Sequence, residues 1–259
     1  MKKSILLFVS SLVLVVINQL NAQNVAALHS SGVSTMFTSG DPLIEAYNSA
    51  SNGDTIYLSG GVFAAPEEFG KSLTVFGTGH NPEHTTATGA TNISGEFILV
   101  EGADNSHFEG ITFLDVLFAS NQSVNDVVFK RCKMNNKVEY LGTDPYDNVC
   151  SNTIFSECIF ATTSATSLDF SNATNLTIQN CIINEQMSYL TSSTVKNSIS
   201  FGERFNRNPA GNLFENNIIN LLPGVMAGTG NVYTNNIIAD PDPSYGSGGH
   251  GNDNWTGVS

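Results

Sequence analysis

Only 13 % of the 259 residues are charged, and 10 Lys or Arg stand against 23 Asp or Glu. A formal net charge of −13 has the wrong sign for a nucleic-acid binder, which must offset backbone phosphates. Long apolar runs are also missing. The most apolar stretch is the 13 residues from Ile5 to Ile17, too short to span a bilayer. Tryptophan occurs once, and none of the four cysteines precedes Cys132, so no lipid-bearing cysteine follows the N-terminal segment. Strong helix formers are scarce in the repeated segments of the second half, which are rich in Ile, Phe, Thr and Asn.

What the second half does contain is a six-residue pattern returning seven times, at 108–113, 129–134, 155–160, 178–183, 195–200, 214–219 and 233–238. The copies read FEGITF, FKRCKM, FSECIF, IQNCII, VKNSIS, FENNII and YTNNII. Successive copies start 21, 26, 23, 17, 19 and 19 residues apart, so one short unit is stacked many times with loops of variable length. Position one is aromatic or β-branched and position two is polar, which is strand alternation. Position three is Gly110, Arg131, Glu157 and then Asn in the last four copies. Gly and Asn tolerate positive φ, so a sharp bend belongs there. Position four is Ile111, Cys132, Cys158, Cys181, Ser198, Asn217 and Asn236, groups suited to turn inward and stack. Alternation sends the fifth column, Ile159, Ile182, Ile199, Ile218 and Ile237, outward as an aliphatic stripe.

A helical solenoid would need a 3.6-residue period, which the copies lack, and Asn pairs would weaken it. The string apolar-x-Asn-[Asn/Cys]-x-apolar, as in IQNCII, FENNII and YTNNII, resembles right-handed parallel β-helix proteins of the pectate-lyase-like superfamily. The resemblance spans about residues 53–239 and implies an all-β, right-handed parallel β-helix of some nine or ten rungs, about 45 Å long. It implies little about activity, because that superfamily includes lyases, hydrolases, epimerases and adhesins.

The remaining segments fit that architecture. Residues 1–22 have the form of a cleavable secretory signal, with Lys2 and Lys3 ahead of the apolar run. Export to the medium or the cell surface follows, and the Asn-rich composition resembles exported bacterial proteins of the Bacteroidetes type. Removing the leader leaves 8 basic against 23 acidic residues. Within 23–52, residues 41–50 read as a short capping helix, with Asp41 as N-cap and Pro42 at the first helical position. Such a helix would plug the open first rung. GDTIYL at 53–58 and KSLTVFG at 71–77 begin the rungs, in an order that also resembles exported β-helix proteins. Residues 240–259 have linker composition, and the natural chain is expected to continue beyond them.

Candidate chemistry is sparse. HNPEH at 80–84 matches the H-x-x-E-H string of inverted zinc peptidases, but Pro82 and the flanking glycines make it a surface loop. Cys132, Cys158 and Cys181 share one inward column and are expected as free buried thiols; Cys150 lies outside it. Arg131 and Glu157 suggest a cross-rung ion pair. A second role for Arg131, as base or carboxylate clamp, follows only from the resemblance to lyases. Lys130, Lys133 and Lys137 add local positive charge that could meet an acidic sugar. Segments 97–99, 116–118, 138–140 and 168–170 point Ile98, Leu117, Glu139 and Asp169 outward, on a strip expected to lack Arg or Lys. Glu139 and Asp169, in adjacent rungs, suit an acid/base pair or calcium ligands.

Two classes of function remain open. One is a non-catalytic exported scaffold contacting glycans; no cofactor is then expected. The other is a lyase or hydrolase for an acidic polysaccharide, working through Glu139, Asp169 or Arg131, with calcium as its one candidate cofactor.

Overall fold

The computed structural model describes residues 24–80, 89–142, 149–161, 168–184, 187–200, 210–219 and 230–238. The leader, His84 and the C-terminal tail lie outside the described residues. The chain is a parallel β-solenoid of about seven turns with one short helix near its N-terminus. Two long sheets run its length. Sheet I stacks nine parallel strands from Thr55–Leu58 to Val232–Thr234, and sheet II stacks nine from Gly61–Ala64 to Ile237–Ile238. The hexapeptide turns form the body, with two further levels ahead of them. A smaller flank pairs Cys150–Ser151 with Ala173–Thr174, and isolated bridges join Asn125 to Ser151 and Thr191 to Ala210.

Every hexapeptide lies across the corner between the sheets. Its first position is buried in all seven turns, and the rings stack along the axis: Phe108 on Phe129 at 5.1 Å, and Phe129 on Phe155 at 5.2 Å. The third position holds positive φ throughout, from 51° at Arg131 and Asn197 to 70° at Gly110. The fourth is buried in each turn. The fifth faces outward from Lys133 onward; Ile182, Ile218 and Ile237 are 39, 44 and 58 % exposed.

A second bend lies five residues ahead of the first, unanticipated from the sequence. Asn105, Asp126, Asn152, Asn175 and Ser192 have φ between 47° and 60°, followed by Gly211 and Gly230 at 65° and 75°. Each precedes a buried residue: Ser106, Val127, Thr153, Leu176, Ser193, Asn212 and Asn231. Both inward columns end in side-chain ladders. Asn217 Oδ1 accepts from the Ser198 amide at 2.9 Å, Asn217 Nδ2 donates to Val195 O at 2.8 Å, and Asn236 Oδ1 accepts from the Asn217 amide at 2.9 Å. In the second column the Ser193 amide donates to Asn212 Oδ1 at 2.9 Å, and the Asn212 amide to Asn231 Oδ1 at 3.0 Å. Amide groups that would be costly if buried unpaired thereby close on one another.

The N-terminal end is covered by more than a helix. Strands β1 (Ala26–Ser30) and β2 (Val33–Phe37) form an antiparallel hairpin. Ser31 and Gly32 at its turn have φ of 50° and 80°, the left-handed pair that two-residue hairpins favour. β1 pairs antiparallel with β3 (Thr55–Leu58) and so covers the first solenoid strand, leaving the exposed β2 as the outer strand of sheet I. Helix α1 (Pro42–Ser49) buries Pro42, Leu43 and Ala46 against the hairpin and the first strands. Asp41 occupies the N-cap position without a side-chain cap bond. The other end of α1 is held by Lys71, whose Nζ donates to the carbonyls of Tyr47 and Ala50 at 2.7 Å and lies 4.8 Å from the Tyr47 ring centroid. A cation there satisfies carbonyls that the helix leaves open.

Two stability predictions follow from the bend and ladder. Replacing Asn217 with Ala strands the Ser198 amide, which donates to Asn217 Oδ1, at about 1–3 kcal/mol; Asn217→Ser, the residue one turn earlier, should cost less. Glu157 holds φ of 58° without the local hydrogen bonding that makes Asn tolerant there. Glu157→Asn should therefore stabilise by up to about 1 kcal/mol. Equilibrium urea unfolding reads both, and equal midpoints for Asn217→Ala and the parent would refute the ladder's role.

Candidate functional site

Beyond a bulge between Ile93 and Glu96, and another between Met134 and Lys137, the long strands of sheet II carry the expected strip. Register sets Ile98 beside Leu117, Leu117 beside Glu139, and Glu139 beside Asp169. The two carboxylates are indeed neighbours on consecutive turns. Leu117 is not exposed as anticipated: it retains 3 % of its surface although it lies outside the main core cluster.

The strip is also more charged than expected. Glu96, Asp115 and Lys137 are aligned with one another, two residues before Ile98, Leu117 and Glu139, so alternation turns them to the same side. The expectation of a strip without Arg or Lys is thereby corrected. Lys137 Nζ lies 3.4 Å from Glu139 Oε2 and 3.6 Å from Glu96 Oε1. Asp115 is buried, and its Oδ1 accepts from Asn136 Nδ2 at 2.7 Å. Asp169 Oδ1 accepts from the Ser171 amide at 2.9 Å, a local turn closed by its own side chain. Among the described residues, no three His, Cys, Asp or Glu side chains converge in an arrangement that could hold a metal ion.

Arg131 belongs to another place. Its guanidinium pairs through Nη2 with Glu109 Oε1 on the preceding turn, not with Glu157. At its bend the long side chain leans back to the polar strand position of the turn before, so the expected Arg131–Glu157 pair is not formed. Glu109 Oε2 also meets His107 Nε2 at 3.0 Å. Burial, followed by the charges of Lys130 and Arg131, lowers the His107 pKa below the ordinary imidazole value. Glu109 would favour the imidazolium, but Arg131 engages its other oxygen. The imidazole is consequently neutral at neutral pH, with Nε2–H directed at Glu109 and Nδ1 left as an acceptor. His80 is the described member of the H-x-x-E-H string, and its Nδ1 lies 3.2 Å from the Arg131 carbonyl oxygen.

The cysteine column is formed as the spacing implies, and all four thiols are free and buried. Cys132 Sγ donates to Lys130 O at 3.3 Å, Cys158 Sγ to Ser156 O at 3.4 Å, and Cys181 Sγ to Gln179 O at 3.2 Å. Each thiol thus occupies the ladder place that Ser198 and Asn217 fill later. Burial raises the Cys158 and Cys150 thiols above their ordinary pKa, and Cys181 is raised by its bond with Cys158 and by burial.

Comparison with known proteins finds no matching family model, no matching curated protein and no matching solved structure. Among the described residues, no helix is long and apolar enough to cross a membrane.

The thiols yield a direct test. Because all four are buried, they should resist a water-soluble disulfide reagent at pH 8 in the folded protein and react together after unfolding. Rapid modification of Cys158 or Cys181 in the native state would show that the column is not closed.

Proposed function

We propose that this protein is a non-catalytic, exported β-helix scaffold that contacts glycans, related in architecture to the pectate-lyase-like superfamily. The observation that carries this reading is that each candidate catalytic group is held by a neighbour. Glu139 is bound by Lys137, Asp169 by the amide of Ser171, and Arg131 by Glu109. A carboxylate serving as general acid must be kept protonated near the working pH, usually by burial or a like charge at close range. Glu139 instead faces an ammonium. The strip's neighbouring carboxylates have opposing cations or donors, which suits a stable outer face better than proton transfer. The leader-like N-terminus and acidic composition support export.

The test is an incubation of the intact protein with acidic and neutral polysaccharides, with and without calcium. Retention of the protein on at least one polysaccharide, with no new reducing or unsaturated ends, is the expected result. New chain ends that disappear in the Glu139→Gln, Asp169→Asn double variant would establish the lyase or hydrolase reading instead. Failure to bind any polysaccharide would remove the glycan part of the proposal.

A further inference from the structure

The outer edge of the N-terminal hairpin is open, and its sequence does nothing to protect it. β2 ends sheet I, with β1 on one side and no strand on the other among the described residues. The two-residue turn makes Ser30 and Val33 a hydrogen-bonded pair, and alternation then directs the backbone groups of Val33, Thr35 and Phe37 to β1. The bond from the Ser59 amide to Val25 O at 2.9 Å agrees. It turns the backbone groups of Val25, Ala27 and His29 toward β3, and those of Ala26, Leu28 and Ser30 toward β2. The amides and carbonyls of Ser34 and Met36 therefore point away from the fold. Among the described residues, no backbone bond from outside the hairpin reaches them.

Edge strands are ordinarily blunted by charge, proline or a bulge. β2 reads VSTMF in unbroken register and has none of these. Val33 and Met36, 65 and 62 % exposed, are the most exposed large apolar side chains among the described residues. They lie on opposite faces of the strand. A ligand on one face would leave the other in water, whereas a strand added at the edge covers both. Charge selects which strand. All 23 acidic residues follow position 40, and residues 23–40 hold no Lys or Arg. Two chains of net charge −13 therefore repel each other least at this end.

We propose that β2 is a dimerisation strand that pairs with β2 of a second copy of this chain, a role independent of the glycan reading. Antiparallel pairing about a two-fold axis at Thr35 sets Ser34 opposite the partner's Met36, and Met36 opposite the partner's Ser34. All four open backbone groups of each strand are then bonded. Thr35 meets the partner's Thr35 in a non-hydrogen-bonded pair, with Cα atoms about 4.5 Å apart, and Val33 meets the partner's Phe37. The elements packed against β2 are β1 and α1. Their carboxylates, Asp41 and Glu45, both follow the Phe37 end of the strand. Asp54 adjoins β3, two strand spacings or about 10 Å from β2. The two-fold sets each Phe37 end against the partner's uncharged Ser31–Gly32 turn. That end lies about 13 Å along the strands from the partner's Phe37, farther than charges act at physiological salt. A pair of five-residue strands is a small interface, below about 1,200 Å², so the dimer is weak and forms as concentration rises.

Sedimentation equilibrium of the full chain over a wide range of concentration reads the association. The average mass should rise from 27.6 kDa toward twice that value. Thr35→Lys and Thr35→Asp each set like charges across the axis, and each should weaken association at least tenfold. Mixed in equal amounts, the two variants should recover it, because opposite charges then meet at the axis. Met36→Pro removes an outward donor without adding charge and should also weaken association. Thermal unfolding by circular dichroism verifies that each variant is folded. A parent that stays monomeric overturns the proposal, whether or not another protein supplies a strand. Association that survives both Thr35 variants overturns it too, by placing the contact at another surface such as the aliphatic fifth column. A mixture that fails to recover the dimer overturns the two-fold register and with it the proposal.

Discussion

The structure depends on one constraint: successive turns must hold the same backbone conformation one strand spacing apart. Parallel strands in register cannot do so unless each corner is taken by the same left-handed residue and each inward amide finds a partner. The first bend supplies the corner at Gly110, Arg131, Glu157 and the four asparagines. The residue that follows satisfies the amide through Cys, Ser or Asn. Cys181 N donates to Ser198 Oγ at 3.1 Å, and Ser198 N to Asn217 Oδ1, so each turn completes the one before it. Stability is therefore a sum over neighbouring turns, and the N-terminal cover is needed because the first strand has no turn before it.

This arrangement explains what the amino-acid sequence made legible. The hexapeptide columns could be assigned because Gly and Asn mark positive φ and because Phe, Cys, Ser and Asn recur at fixed places. The second bend escaped notice although it stands five residues ahead of the first in every hexapeptide turn. Asn105, Asp126 and Asn152 follow segments of variable length, where such residues are also ordinary loop formers. The hairpin of β1 and β2 was missed for a related reason. Its Ser31–Gly32 turn is a clear signal, but β2 is almost wholly exposed and shows no apolar alternation.

The candidate site was legible in part. Pairing of Glu139 with Asp169 came directly from alternation and repeat spacing. Glu96, Asp115 and Lys137 were readable by the same rule, taken two residues earlier, but the bulges hid where the outward run begins. Arg131 was misassigned because column logic pairs like positions on neighbouring turns. A long side chain at a bend can instead reach a different column of the preceding turn, and Glu109 is better placed. Residue types and spacing define which groups share a face. They do not define which neighbour a flexible cation selects.

Those pairings bear on function because a solenoid separates structural and functional positions. Inward residues are dictated by stacking, so selection for a ligand acts on outward strand positions, bends and loops. Along the described part of sheet I, the column facing away from the core runs Tyr57, Phe76, Glu109, Lys130, Ser156, Gln179, Lys196, Glu215 and Thr234, with Ser156 covered. Aromatic rings occupy only its first two levels, where Tyr57 and Phe76 are directly opposed and stack as a cross-strand pair. Their neighbours, His107, Glu109 and Arg131, add a hydrogen-bonded chain at the same end. The later levels change class as freely, from Ser156 through Lys196 and Glu215 to Thr234, so outward positions answer to local cross-strand pairs while the inward columns and the bends carry the repeat.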